Sequence, residues 1–126
     1  MDENALSKVI VDAAFEVHWT LGGPGLLESV YRGCLAFELM DRGLFVDQEL
    51  EVPIIYKGRS LETPLKCDVM VNKLVIVECK ATTEFNSIYQ HQLLTYLRLT
   101  NLKLGLVINF CDRLLRDGIH RVVNGL

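Results

Sequence analysis

Apolar side chains recur at two spacings along this chain, and the switch between them separates helical from extended segments. Leu6, Val9, Ile10, Ala13, Val17 and Leu21 follow a 3.6-residue period, with Lys8, Asp12 and Glu16 on the other face. This pattern predicts a helix over about Asn4–Trp19. Gly22-Gly23-Pro24-Gly25 ends it, because glycine tolerates positive φ and proline disfavours helical backbone in the residue before it. A second helix is expected over about Leu26–Arg42, with Gly43 as its stop. It is apolar on most sides (Leu26, Leu27, Val30, Cys34, Leu35, Phe37, Leu39, Met40), so burial on more than one side is expected.

From Leu44 the period falls to two. Leu50, Val52, Ile54 and Tyr56 alternate with Glu49, Glu51, Pro53 and Ile55, and Lys57-Gly58-Arg59 reads as a hairpin turn. Further strands are expected over Leu65–Val71, Leu74–Ala81 and Leu104–Phe110, with a helix over Asn86–Thr100 between the last two. Leu114–Val123 reads as a short edge strand. The run Leu74-Val75-Ile76-Val77 does not alternate, which suits a central strand covered on both faces. The order α-α-β-β-β-α-β(-β) is that of an α/β fold, a mixed β-sheet flanked by helices. A length of 126 residues suits one domain, residues 1–126.

Composition adds three constraints. Half of the residues are hydrophobic, which excludes disorder and is more than a core this small readily hides. A homodimer is therefore expected. The net charge of −3 argues against a general nucleic-acid binder, but it conceals an asymmetry. Residues 1–56 carry three basic and ten acidic side chains, a net of −7; residues 57–126 carry ten and six, a net of +4. Several of Lys57, Arg59, Lys66, Arg98, Lys103, Arg113, Arg116 and Arg121 are expected to rim a cleft, the one that holds Asp68 and Glu78, for an anionic partner. Cys34, Cys67, Cys79 and Cys111 have no CxxC spacing and lie in apolar runs, as buried thiols of a reducing cytoplasm do. With Asp2 and Glu3 and no basic group in the first seven residues, no secretory signal is expected, and no apolar run approaches the length of a membrane span.

The chemistry concentrates in Cys67–Lys80. Glu78 and Lys80 are two apart on the apolar strand and leave one face, while Cys79 turns into the core. Charges closing so apolar a strand are costly to bury unless paired or bound to metal. Register decides what they meet. A two-residue turn at Asn72-Lys73 sends Asp68 and Glu78 to opposite faces. A three-residue loop, Asn72-Lys73-Leu74, or a bulge nearby, sets them opposite each other. Two carboxylates so placed repel, and a hard divalent cation between them, Mg²⁺ or Mn²⁺, removes the repulsion. The longer loop is expected, with Asn72 or Lys73 at positive φ and one carboxyl pKa raised.

Asp68 followed by Glu78-Cys79-Lys80 resembles the bipartite core of the PD-(D/E)xK nucleases, with Cys67 where the superfamily name has Pro. Gly25-Leu26-Leu27-Glu28-Ser29-Val30-Tyr31 is similar to the motif that names the GxxExxY branch of that superfamily. Gln92 and Tyr96, at i and i+4, resemble its Q-x-x-x-Y element. The resemblance spans about residues 5–125 and implies a restriction-endonuclease-like core and Mg²⁺- or Mn²⁺-dependent hydrolysis of phosphodiesters in nucleic acid, DNA ahead of RNA. It also implies roles. Asp68 and Glu78 are the metal ligands, with the Cys79 carbonyl as a third and Glu28 acting through a water. Lys80 orients the attacking water, Gln92 reaches the site and Tyr96 braces it. An ion pair of Glu28 with Arg32 is the competing reading of Glu28. Tyr31 reads as a packing tyrosine with a bonded hydroxyl, and His18 and His91 as structural. The alternative to catalysis is a nuclease-fold module that binds nucleic acid or a protein without cutting.

Overall fold

The computed structural model describes every residue, Met1–Leu126. Helix α1 (Glu3–Thr20) starts where the Asp2 side chain accepts the Ala5 N–H, and helix α2 (Glu28–Asp41) follows the glycine-rich turn. Both pack on one face of a sheet built from β1 (Val46–Val52), β4 (Leu65–Val71), β5 (Val75–Lys80), β6 (Leu104–Asn109) and β7 (Ile119–Val123). Between β1 and β4 stands a separate two-strand ribbon, β2 (Ile55–Tyr56) and β3 (Arg59–Ser60). Helix α3 (Ile88–Thr100) covers the other face. The sheet order is β1-β4-β5-β6-β7; β5 and β6 are parallel and every other neighbouring pair is antiparallel. This is the expected mixed sheet flanked by helices, consistent with a restriction-endonuclease-like core. No helix is long and apolar enough to cross a membrane.

Two cores lie back to back across the sheet. Leu6, Ile10, Ala13, Val17, Tyr31, Leu35 and Leu39 of α1 and α2 meet Val69, Val71, Val75, Val77, Cys79 and the alternate residues of β6. On the other face Leu93 and Leu97 of α3 meet Cys67, Met70, Ile76, Val107 and Val122. β5 and β6 supply both cores, so β6 is buried throughout and β5 up to the half-buried Lys80, as the non-alternating run predicts.

Four local expectations need correction. The strand expected to reach Tyr56 ends at Val52, because Pro53 cannot extend the ladder, and Ile55–Tyr56 forms its own ribbon. Leu114–Val123 is a 3₁₀ turn, Leu115–Gly118, followed by the edge strand β7. Helix α2 is buried on one side only; Val30, Phe37 and Met40 are exposed, since neither α1 nor the sheet reaches its outer face. Of the cysteines, Cys67 and Cys79 are buried while Cys34 and Cys111 are half-buried.

The β4–β5 connection is the three-residue loop. Val71 pairs with Val75, Met70 with Ile76 and Val69 with Val77, while Asn72 and Lys73 both have φ of 53°. The Asn72 Oδ1 accepts the Phe45 N–H at 2.9 Å, which helps hold this left-handed pair. A second irregularity lies on the opposite edge of β4. Val46 packs on the α1–α2 side, yet Leu50 and Val52, of the same parity, pack on the α3 side. In β4, Val69 and Val71 face α1–α2 while Cys67 faces α3. Both strands therefore turn over at the one position missing from their ladder, Glu49 opposite Asp68, where Glu49 has φ of 49°.

α3 lies close enough to β6 that a Cβ on Gly105 would sit 2.7 Å from the buried Leu93 side chain. Gly105→Ala should therefore lower stability by about 1–3 kcal/mol in chemical denaturation, with little change in the slope of the transition.

Candidate active site

The site forms where β4 parts from β5. Pairing stops at Val69–Val77, so the position of Asp68 opposite Glu78 carries no ladder pairing. The Asp68 side chain takes over there, its Oδ2 accepting the Cys79 N–H at 2.9 Å. Glu78 is only 9% exposed, and its Oε1 is buried with no hydrogen-bond partner. Burial raises the Glu78 pKa to about 9, helped by the charge of Asp68 and a hydrogen bond with it, while Lys80 opposes the rise. The two carboxyl groups thus act on each other, as the three-residue loop leads one to expect.

Helix α2 delivers a third carboxyl group. Glu28, its first residue, has its pKa raised by burial and by Asp68, and lowered by Lys80 and Arg32. Arg32 makes its ion pair with Glu49 at 3.5 Å, the residue at which β1 turns over. Lys80 sits between Glu28 and Glu78 electrostatically, and its Nζ lies 4.7 Å from the centre of the Tyr89 ring. From α3, the Tyr96 hydroxyl has its pKa raised by burial, then by Glu78, with smaller effects of Cys67 and Asp68. Gln92 Nε2 donates to that hydroxyl at 3.0 Å, so the amide is bonded to Tyr96 and not to a carboxylate.

Tyr31 supports the site from below. Its ring stacks on Phe110 at 4.8 Å, and its hydroxyl donates to the Gly23 carbonyl at 2.7 Å and accepts the Leu26 N–H at 3.2 Å. It ties down the turn that feeds Glu28. The Cys79 thiol lies in the core beneath, its pKa raised foremost by burial. His18 is structural, with Nε2 2.9 Å from the Asp112 carbonyl, whereas His91 is exposed on α3.

Two contributing residues, Tyr89 and Asn109, escaped the sequence reading, and a third, Arg32, entered it only as an ion-pair partner for Glu28. Tyr89 precedes Gln92 by three positions and Tyr96 by seven, a single helical stripe readable from spacing. Arg32 shares a face with Glu28. Asn109 ends the apolar β6 as Glu78 ends β5; its amide accepts the Thr82 N–H at 3.1 Å and donates to the Thr82 carbonyl at 3.0 Å, fixing the chain just after Lys80. None of the eight basic residues expected at a rim is among the charges that act on the Glu28 and Glu78 carboxyls. Lys80 and Arg32 are the cations that act on the site carboxyls. Lys103 precedes β6 at the far end of the sheet, and Arg121 bonds Asn4 Oδ1 on the β7 edge.

A sequence model of the PD-(D/E)XK nuclease superfamily matches residues 4–122, nearly the whole chain. The chain belongs to that superfamily. No curated protein and no solved structure matches it. PD-(D/E)XK nucleases generally use divalent metals, and the residues present fit one. No three acidic, cysteine or histidine side chains close into a ready cage. What the site offers is a pair of hard oxygen donors, one with an orphaned oxygen, and that suits an ion which keeps several waters.

Glu78 also governs stability in the absence of metal. An ordinary glutamate has a pKa near 4.5, and the fold raises this one to about 9, so the native state favours the neutral acid. Its contribution is complete below pH 4.5 and is lost as pH rises through 9. With chelator present, the melting temperature of wild type should fall across that window relative to Glu78→Gln, whose neutral amide does not titrate. Parallel curves for the two proteins would contradict the raised pKa.

Proposed function

We propose that this PD-(D/E)XK protein, of the GxxExxY branch, is a nuclease that hydrolyses phosphodiester bonds with Mg²⁺ or Mn²⁺, acting on DNA ahead of RNA. The observation that carries the reading is the buried Glu78 carboxyl beside Asp68, one of its oxygens without a partner, with Lys80 in reach of the same field. Asp68 and Glu78 would hold the ion, with the Cys79 carbonyl and, through water, Glu28. A divalent cation bound there supplies Lewis acidity and an acidified water. Lys80, backed by Tyr89, orients that water toward phosphorus and offsets charge on the phosphate oxygens as the phosphorus–oxygen bond to the leaving group breaks. Tyr96, held by Gln92, walls the α3 side of the pair.

Two further readings accompany it. Four free thiols support a cytoplasmic location for a single domain of residues 1–126. Val30, Phe37 and Met40 form a stripe along α2, and Phe37 is 69% exposed, which supports a homodimer through that face.

The test is cleavage of single-stranded, duplex and branched DNA and of RNA with Mn²⁺. Wild type should cut, and Glu78→Ala and Lys80→Ala should each be at least ~100-fold slower, the loss typical of removing one transition-state electrostatic contact. Wild type as inert as both variants on every substrate would favour the binding module.

A further inference from the structure

The largest concavity of the molecule is not the carboxylate pair. It is an open groove of about 670 Å³ lined by Phe15, His18, Trp19, Gly22 and Gly23 on one side and Arg113–Arg116 on the other. Trp19 is 83% exposed, and Phe15 and Leu114 are also exposed. An indole this open gains nothing for the fold where it stands.

The groove is built on fixed backbone and joined to the active site. His18 holds the Asp112 carbonyl, and Gly118 packs so closely on the Asn109 carbonyl that a Cβ there would lie 2.2 Å from it. The loop bearing Arg113 and Arg116 begins at Phe110, whose N–H donates to the Lys80 carbonyl at 2.8 Å. The opposite wall, Gly23, is bonded by Tyr31, three residues after Glu28. Both walls are therefore one hydrogen bond away from a residue proposed for catalysis or from the side chain bracing it. Arg116 lies 3.8 Å from Asp117, a largely exposed and therefore weak neighbour pair that leaves its guanidinium able to meet another anion.

We propose that this groove binds the single-stranded flank of the nucleic acid cut at the carboxylate pair, with a base stacked on Trp19 and backbone phosphates met by Arg113 and Arg116. Aromatic faces beside arginines on a groove are what sequence-tolerant binding of single strands uses. Charge complementarity selects this occupant: within a chain of net charge −3, the groove is lined by two arginines and a histidine and by no acidic side chain. The inference rests on the nuclease reading for the strand's destination, but binding and cutting separate experimentally.

Trp19 is the only tryptophan, so its fluorescence reports on the groove alone. A short thymidine oligonucleotide, titrated with chelator present so that nothing is cut, should quench it saturably. Trp19→Phe should keep most of the affinity, followed by anisotropy of a labelled oligonucleotide, and Trp19→Ala should lose about tenfold. Arg113→Ala with Arg116→Ala should weaken binding and lower its salt dependence by about two phosphate contacts. The Trp19, Arg113 and Arg116 side chains are solvent-exposed, so these substitutions remove no buried packing. Cleavage by wild type with no quenching, and unchanged affinity in the arginine variant, would overturn the groove and leave the nuclease reading standing. Quenching with no cleavage would support the groove and count against the nuclease reading. Quenching that grows with protein concentration alone, and a mass that falls in Trp19→Ala, would overturn it in favour of a second copy of the chain.

Discussion

Everything at this site depends on how β4 opens at Asp68, where it skips one pairing with β1 and parts from β5. Asp68 pairs with neither Glu49 across β1 nor Glu78 across β5, although the register on both sides aims it at them. An edge-to-edge ladder through Asp68 would consume its backbone and leave its carboxylate among apolar neighbours. With the ladder open, the carboxylate itself becomes the acceptor for the Cys79 N–H and the partner of Glu78. The cost is a non-glycine residue, Glu49, at φ of 49°, and Arg32 of α2 steadies it.

A carboxyl group as enclosed as Glu78 is tolerable only if neutral, or if paired with a cation. Lys80 supplies part of that charge, but it is shared with Glu28 and turned toward Tyr89. The site is therefore left short of positive charge, with one oxygen unsatisfied. This deficit is what a divalent ion and a phosphate together would balance. The same shortage explains why the metal-free protein should be least comfortable in alkaline solution.

Much of this was legible in the chain before folding. The 3.6-residue stripes of α1 and α3 and the non-alternating β5 follow from which faces must be buried, and Leu65–Val71 was placed to the residue. The odd loop at Asn72-Lys73-Leu74 followed from the requirement that two carboxylates meet. What was not legible came from tertiary context. Nothing local in Val46–Val52 signals that Glu49 reverses the strand, because the reversal answers to Asp68 and Arg32 far along the sequence. Apolar residues around α2 could not show which of them would go uncovered, since that depends on where α1 stops reaching. Tyr89 and Asn109 were visible as a stripe and as a polar strand end, but only the folded chain puts them against Lys80 and Thr82.

The central claim is that Asp68 and Glu78 crowd one another in a space poor in water. A carbon-detected NMR titration of the Glu78 carboxyl in metal-free protein measures this most directly. The predicted midpoint is about 9, dropping part of the way toward 4.5 in Asp68→Asn as the Asp68 charge is removed and burial remains. A midpoint near 4.5 in wild type, unmoved by that substitution, would contradict the crowding and with it the physical basis of the site.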